Sequence, residues 1–230
     1  MTRLTAAALA TSALVALSLP AVAQDQSGTN VDPAGTGTRG ATAQLSLSQD
    51  LYALGMAQGD ALTVLTAAKL ASGVDFTDVV REVETKAGEA VAEEADTADG
   101  PVDAAAMLAS ARQLAGEDET LQGLIDDVEA EGSRGRIGGA SRTLSRLPGG
   151  STDVWKVPFY GNSYAEVAVV GDGDSNLDVL ITDENGNTVC YDVSWSDKVY
   201  CDFVPRWNGF FFITVQNTGR KRNSYYLLTN

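Results

Sequence analysis

The spacing of hydrophobic residues changes once along the 230-residue chain, from a helical period to a strand period. Between about residues 45 and 131, apolar residues recur three or four positions apart, which is typical of amphipathic helices. This half therefore predicts a small bundle of short antiparallel helices. Three helices are expected at 45–57, 61–71 and 76–94. A fourth is expected to have Pro101 in its first turn, and a fifth to begin at Asp118 as its N-cap.

Beyond residue 150 the apolar residues fall into strand-length runs separated by turn residues. Asn185-Gly186 supplies the backbone freedom that a tight hairpin turn needs. Seven runs, with an eighth at 142–147, indicate an antiparallel β-sandwich. The seven are 154–159, 165–170, 177–182, 188–193, 198–204, 210–216 and 224–228. The fold class predicted for the whole chain is thus two-part, a helical bundle followed by an all-β sandwich.

The first 23 residues have the features of a secretory signal peptide. Arg3 precedes an apolar run from Leu4 to Leu19, and the small-residue pattern Ala21-Val22-Ala23 follows. The run is shorter than the roughly 20 residues that a membrane-spanning anchor, the alternative, would need. We therefore expect the mature chain to begin at Gln24 and to be periplasmic or secreted, without insertion in a membrane.

The composition divides the remaining chain into four segments. Residues 24–43 are polar and glycine-rich without periodicity, which predicts a disordered linker. An acidic helical region at 44–132, a second linker at 133–141 and the sandwich at 142–230 follow.

The acidity of the chain belongs to its N-terminal half. The net charge is -15, and residues 24–132 contain 21 acidic and 5 basic side chains, against ten of each in 133–230. Nucleic acid and anionic membranes would be repelled by the acidic half, so neither is expected as a partner. The same acidity also fits a solvated face that only keeps the protein soluble.

Cys190 and Cys201 are the only cysteines, and an oxidising compartment predicts a disulfide between them. If their strands form a hairpin around Trp195-Ser196, the two cysteines face each other across it. If the strands belong to different sheets, the bond crosses the sandwich. Two separate buried thiols are the remaining alternative.

The segment from about Thr143 to Asn230 resembles the bacterial pre-peptidase C-terminal domain. The elements that carry the resemblance are Asp172 and Asp174 after a strand, Leu177-Asp178, the turn Asp183–Gly186, Pro205–Gly209 and a final Tyr226-Leu227-Leu228 strand. The resemblance implies an eight-stranded jelly-roll-like sandwich of a kind often appended to secreted peptidases, with roles in secretion or substrate binding and sometimes with calcium. No peptidase domain precedes it here, so no catalytic role is carried over.

The composition argues against an enzyme. The chain has no histidine, which removes Ser-His-Asp catalysis and His-ligated zinc, and its cysteines are expected to be oxidised. The glycine-rich segment 171–174 is acidic and would repel phosphate. Clustered exposed aspartates give no sign of one raised and one lowered pKa, so a glycosidase pair is not expected either.

One candidate metal site remains in the sequence. Four side chains with oxygen ligands occupy alternate positions: Asp172, Asp174, Asn176 and Asp178. A compact loop can wrap Ca²⁺ with this spacing, although the turn glycine and the final glutamate of an EF-hand are missing. The alternative is a solvated turn in which aspartates cap backbone N–H groups. Calcium is the one cofactor that the sequence suggests.

The three tryptophans all lie in the predicted sandwich. Trp155 and Trp207 are expected in the core, whereas Trp195 falls in the predicted turn and is the expected ligand contact. The sequence as a whole favours a non-enzymatic exported protein whose sandwich, with calcium or without it, recognises a protein or glycan surface. The alternative is a passive envelope accessory with no specific ligand.

Overall fold

A computed structural model describes residues 26–88, 99–131 and 137–230. The predicted signal peptide and its cleavage site lie outside these ranges. Within them the chain forms helices α1 Ala41–Gln58, α2 Ala61–Ser72, α3 Ala104–Ala115 and α4 Glu119–Glu131. The strands are β1 Val74–Asp78, β2 Val83–Lys86, β3 Ile137–Leu147, β4 Thr152–Phe159, β5 Ala165–Val170, β6 Leu177–Asp183, β7 Thr188–Asp192, β8 Lys198–Phe203, β9 Gly209–Asn217 and β10 Asn223–Thr229.

Aspartate side chains cap the starts of three helices. Asp60 accepts a hydrogen bond from the second residue of α2, and Asp103 accepts one from the third residue of α3. Asp118 caps α4 as predicted, with bonds of 2.9 and 3.1 Å from the backbone N–H groups of its first turn. Pro101 lies three residues before α3, outside its first turn, and Gly116 follows the end of α3 with a positive φ of 55°.

The strands form two five-stranded sheets, which confirms the predicted fold class. Sheet A has the order β1-β3-β10-β5-β8 and sheet B the order β2-β4-β9-β6-β7. Neighbouring strands are antiparallel except β1 and β3, which are parallel. The eight runs predicted from the sequence are β3 to β10. Alternating apolar residues define these strands because one face of each is buried between the sheets.

The helix predicted at 76–94 is wrong over its described residues. Val74–Asp78 and Val83–Lys86 are strands at the edges of sheets A and B, and β-branched residues recur in both. Their side chains are mostly exposed, and their pairing is made by backbone hydrogen bonds that leave no apolar period in the sequence. β1 and β2 lie within the predicted helical region but each adds a strand to one of the two sheets. The predicted helical region therefore contributes directly to the sandwich.

The structure also differs from the two predicted linkers. Asn30 is fully buried, the N–H of Asp32 donates to the carbonyl of Val204 at 2.8 Å, and α1 begins at Ala41. Polar side chains anchor this segment to the sandwich. Because its order does not depend on apolar side chains, a search for apolar periods does not detect it. Most of the second predicted linker, 133–141, belongs to β3, which begins at Ile137.

The main core lies between the two sheets. Its largest buried side chains include Trp155, Phe211 and Tyr225, and Trp207 is also buried, as expected for the core tryptophans. The indole N–H of Trp155 donates to the Tyr225 hydroxyl at 2.7 Å, and that hydroxyl donates to Asp153 at 2.7 Å. Buried polar groups inside this core are therefore paired.

The two outer faces of the sandwich have different surroundings. Helices α1, α2 and α3 bury the outer face of sheet A, where Ala168, Val170 and Leu228 pack against Leu45 and Met107. The helices pack on strands β1, β3, β5 and β8, all of sheet A. The outer face of sheet B keeps large apolar side chains exposed. No helix within the described ranges is long and apolar enough to cross a membrane.

Candidate binding surface

The predicted calcium ligands lie in the connection between β5 and β6 and at the start of β6. One carboxylate oxygen of Asp172 accepts the backbone N–H of Ser224 at 2.8 Å, and the other accepts that of Asp174 at 3.1 Å. The N–H of Gly173 donates to a different carboxylate, that of Asp197, at 2.6 Å. These aspartates cap backbone groups of the turn, which is the alternative considered for the acidic segment.

The other two predicted calcium ligands, Asn176 and Asp178, are hydrogen-bonded to each other. The side-chain amide of Asn176 donates to Asp178 and to Thr218, both at 2.8 Å. In the part of the chain that the structure describes, no three His, Cys, Asp or Glu side chains are grouped so that they could hold a metal ion. Calcium binding by Asp172, Asp174, Asn176 and Asp178 stays a prediction.

The turn predicted at Asp183–Gly186 follows β6, and the sequence analysis did not foresee the structural role of the Asp183 carboxylate. Asp183 is fully buried and accepts the backbone N–H groups of Asn30, Asn185 and Asn187 at 2.8, 3.0 and 2.8 Å. Burial alone would raise the pKa of Asp183, but these hydrogen bonds lower it below its usual range. Its carboxylate therefore stays ionised and holds the turn and the N-terminal segment together.

A cluster of two carboxylates and two tyrosines lies under the N-terminus of α1. Glu166 is buried and accepts the N–H of Gly40 at 2.9 Å and the hydroxyl of Tyr200 at 2.8 Å. Tyr164 donates to Asp202, the cross-strand neighbour of Glu166. Burial, followed by the hydrogen bonds with Tyr164 and Glu166, raises the pKa of Tyr200 far above its usual range. The tyrosines remain neutral donors, and the cluster joins α1 to sheet A.

Cys190 and Cys201 form the predicted disulfide, with their Cα atoms 6.5 Å apart. Their strands do not form a hairpin, the first of the two arrangements considered from the sequence. β7 pairs with β6 in sheet B, where Cys190 lies opposite Ile181, and β8 pairs with β5 in sheet A, where Cys201 lies opposite Val167. The bond thus crosses from one sheet to the other, which is the second arrangement considered from the sequence. The chain between the cysteines links β7, at the edge of sheet B, to β8, at the edge of sheet A.

This crossing segment carries three exposed apolar side chains at alternate positions. Tyr191 is 68% exposed, Val193 67% and Trp195 93%. Leu180, 39% exposed, lies directly across from Tyr191 on β6. We call Tyr191, Val193 and Trp195 together the 191–195 ridge. Trp195 is exposed as predicted. The sequence analysis missed Tyr191 and Val193, although the apolar residues at alternate positions 191, 193 and 195 could have indicated a shared surface.

The backbone of the 191–195 ridge is held at both ends. The disulfide at Cys190 immediately precedes it, and the carbonyl of Ser196 accepts the N–H of Leu177 at 3.1 Å just beyond it. Within it, the N–H of Ser194 donates to the carboxylate of Asp192 at 2.7 Å. A segment that is already ordered loses little conformational entropy when a ligand binds, which favours binding.

Comparisons with known proteins add little to this description. No protein-family profile and no curated protein matches the chain. Similar solved structures include the pre-peptidase C-terminal domain of a collagenase from Bacillus anthracis, at 7% identity and a TM-score of 0.26 over 68% of this chain and 96% of that one. Another, described as carbohydrate-binding modules from the β-sandwich superfamily, has 11% identity and a TM-score of 0.24 over 38% of this chain and 51% of that one.

Both TM-scores are too low to carry an argument about function. The two-sheet sandwich is defined by the strand order and register of the chain itself. The chain is thus an α-helical bundle joined to a two-sheet β-sandwich with an exposed, disulfide-anchored aromatic ridge.

Proposed function

We propose that this is a non-enzymatic exported binding protein that holds a glycan chain against the 191–195 ridge. The observation that carries the proposal is the exposure of Tyr191, Val193 and Trp195 on an anchored backbone. Leaving such side chains in water costs hydrophobic free energy, and grouped exposed apolar residues generally mark interaction sites. Tyr and Trp are also the residues that contribute most to binding free energy.

The size of the 191–195 ridge favours a glycan over a folded protein. Tyr191 and Trp195 are four residues apart, and the chain bends at Ser194 and Trp195, so the 191–195 ridge spans less than the roughly 13 Å of four extended residues. This length suits a short oligosaccharide. A standard protein interface buries about 800 Å² on each partner, more than three side chains supply. Flat aromatic rings can stack on the C–H faces of sugar rings, and Asp192 and Ser194 between them supply polar groups for sugar hydroxyls.

Other features support the remaining parts of the proposal. The signal-like residues 1–23 and the disulfide support export to an oxidising compartment. The absence of histidine from the sequence and the use of Asp172 and Asp183 as backbone caps support a role without catalysis. Binding at the 191–195 ridge needs no calcium, because no ridge side chain depends on the predicted metal ligands.

The test is binding of the purified mature protein to insoluble peptidoglycan, chitin and cellulose. Trp195→Ala should weaken binding to the retained polysaccharide about 30-fold, as expected for a central aromatic contact. Tyr160→Ala is the matched control, since Tyr160 is 77% exposed but lies at the opposite end of β9 from the ridge. Soluble oligosaccharide should shift the emission of Trp195 to shorter wavelength, because Trp155 and Trp207 are already buried.

Three results would contradict the glycan proposal. Equal binding by the wild type and Trp195→Ala would place the contact elsewhere. Capture of a protein from periplasmic extract, lost in Trp195→Ala, would make the ridge a protein interface. Retention of no polysaccharide and no protein would support the passive envelope role.

A further inference from the structure

A cavity lies between the helices and the outer face of sheet A, away from the 191–195 ridge. Its volume is about 240 Å³. Apolar side chains from α1, β1, the start of α3 and β10 form most of its wall, and Ala105 lies at its exposed edge. Among the residues that line it are Leu45, Val74, Phe76, Arg142, Tyr226 and Leu228.

One wall of this cavity is a stack of flat groups. The guanidinium carbon of Arg142 lies 3.7 Å from the ring centroid of Phe76 and 4.5 Å from that of Tyr226. Asp78 accepts two hydrogen bonds from the same guanidinium, at 2.7 and 3.0 Å. The charge of Arg142 is therefore already paired with Asp78, and the three flat groups line the cavity together.

The other polar groups of the wall also have partners. The side-chain amide of Gln49 donates to the carbonyl of Val102 at 2.8 Å, and the hydroxyl of Ser72 donates within α2 at 2.9 Å. Asp103 accepts the N–H of Ala106 as the cap of α3, at 2.8 Å. The cavity walls are mostly apolar and their polar groups are already hydrogen-bonded, so a charged ligand would lose its hydration without gaining a partner.

We propose that this cavity binds a small neutral aromatic compound of about two fused rings. Apolar cavities of about 150 Å³ bind benzene, so the larger volume here has room for a second ring. The planar wall formed by Phe76, Arg142 and Tyr226 favours an aromatic ligand over an aliphatic one, because stacking adds to the hydrophobic contact. The site is independent of the 191–195 ridge, which lies at the edge of sheet B.

The probe for this proposal is 2-naphthol, followed by methyl NMR of the full mature chain. Binding should shift the methyl signals of Val74, Val102 and Leu228 and raise the melting temperature. Ala105→Trp should weaken binding at least about tenfold by closing the exposed edge of the cavity. Ala109→Trp is the control, since Ala109 is also exposed on α3 one turn further on but does not line this cavity.

Several outcomes would overturn the proposal. The first is a set of NMR shifts confined to methyl groups outside the cavity. The second is an equal loss of 2-naphthol affinity in Ala105→Trp and Ala109→Trp. The third is binding of 2-naphthoate as tight as that of 2-naphthol, which would assign an anionic ligand. If Ala105→Trp does not fold, the wild-type methyl shifts decide the site alone. Trp195→Ala should bind 2-naphthol normally, which separates this site from the glycan proposal.

Discussion

At the scale of single residues, one hydroxyl group connects the two sheets inside the core. Tyr225 lies on β10 of sheet A, whereas Trp155 and Asp153 lie on β4 of sheet B. The Tyr225 hydroxyl accepts from Trp155 and donates to Asp153, and burial raises its pKa well above the usual range, so it remains a neutral donor. Both partners are buried and would lose a hydrogen bond without it.

Tyr225→Phe should therefore lower the free energy of unfolding by about 1–3 kcal/mol, because the buried indole N–H of Trp155 loses its acceptor. Asp153 loses one hydrogen bond but still accepts from Ser145 and Thr85. Urea denaturation of the mature protein at neutral pH measures this change. Tyr191→Phe is the matched control, because the Tyr191 side chain is exposed and its hydroxyl should contribute little. Equal stability of Tyr225→Phe and the wild type would show that the hydroxyl pairs are not needed for the core.

Two buried carboxylates, those of Asp183 and Glu166, also join distant parts of the chain by hydrogen bonds. Asp183 orders the turn after β6 and fixes Asn30, and Glu166 holds Gly40 at the start of α1. Each of these carboxylates accepts backbone N–H groups that would otherwise be unpaired. Buried acidic residues in this protein thus serve to join elements that are distant in sequence.

At the scale of elements, the disulfide joins β7 to β8 and so connects the two sheets at one edge of the sandwich. Because the cysteines are 11 residues apart, replacing both by alanine should destabilise the fold by about 2–3 kcal/mol, through the greater entropy of the unfolded chain. It should also weaken glycan binding, since the 191–195 ridge loses one of its anchors. Denaturation and binding of the double variant measure the two effects.

The wild type under reducing conditions is the control for this prediction. It should match the double alanine variant in both measurements, because both lack only the cross-link. A reduced wild type as stable as the oxidised protein would show that the crossing segment is held by packing alone.

At the scale of the whole molecule, the helices and the sandwich depend on each other. Helices α1 to α3 cover Ala168, Val170 and Leu228 on the outer face of sheet A, and β1 and β2 complete the edges of both sheets. A fragment of residues 137–230 would expose this apolar face and two unpaired strand edges. Both features promote association between molecules.

We therefore expect the 137–230 fragment to form oligomers and to bind the dye 1-anilinonaphthalene-8-sulfonate more strongly than the full mature chain does. Light scattering after size-exclusion chromatography and dye fluorescence measure this. Trp195→Ala in the full chain is the control, because it changes exposed apolar surface without uncovering sheet A. A monomeric fragment with the stability of the full chain would show that the sandwich is an independent domain.

Particular residues show how far the sequence could be interpreted. The apolar runs at 165–170 and 210–216 predicted strands β5 and β9, because β5 is buried on both faces and β9 mainly on one. Asp118 predicted the start of α4 because an N-cap acts on its own first turn. Trp195 was expected to be exposed, but Tyr191 and Val193 were assigned to a strand and their exposure was not foreseen, since it depends on how the strand lies in the sheet.

The sequence by itself determined the properties that arise over a few residues: the two helical and strand periods, the helix caps, the turn at Asn185-Gly186 and the pairing of the only two cysteines. Only the tertiary structure decided which strands are neighbours. Backbone hydrogen bonds are alike for every strand pair, so the burial of whole faces selects the partner. That selection placed β7 and β8 in different sheets, joined β1 and β2 to the sandwich, and left the 191–195 ridge exposed.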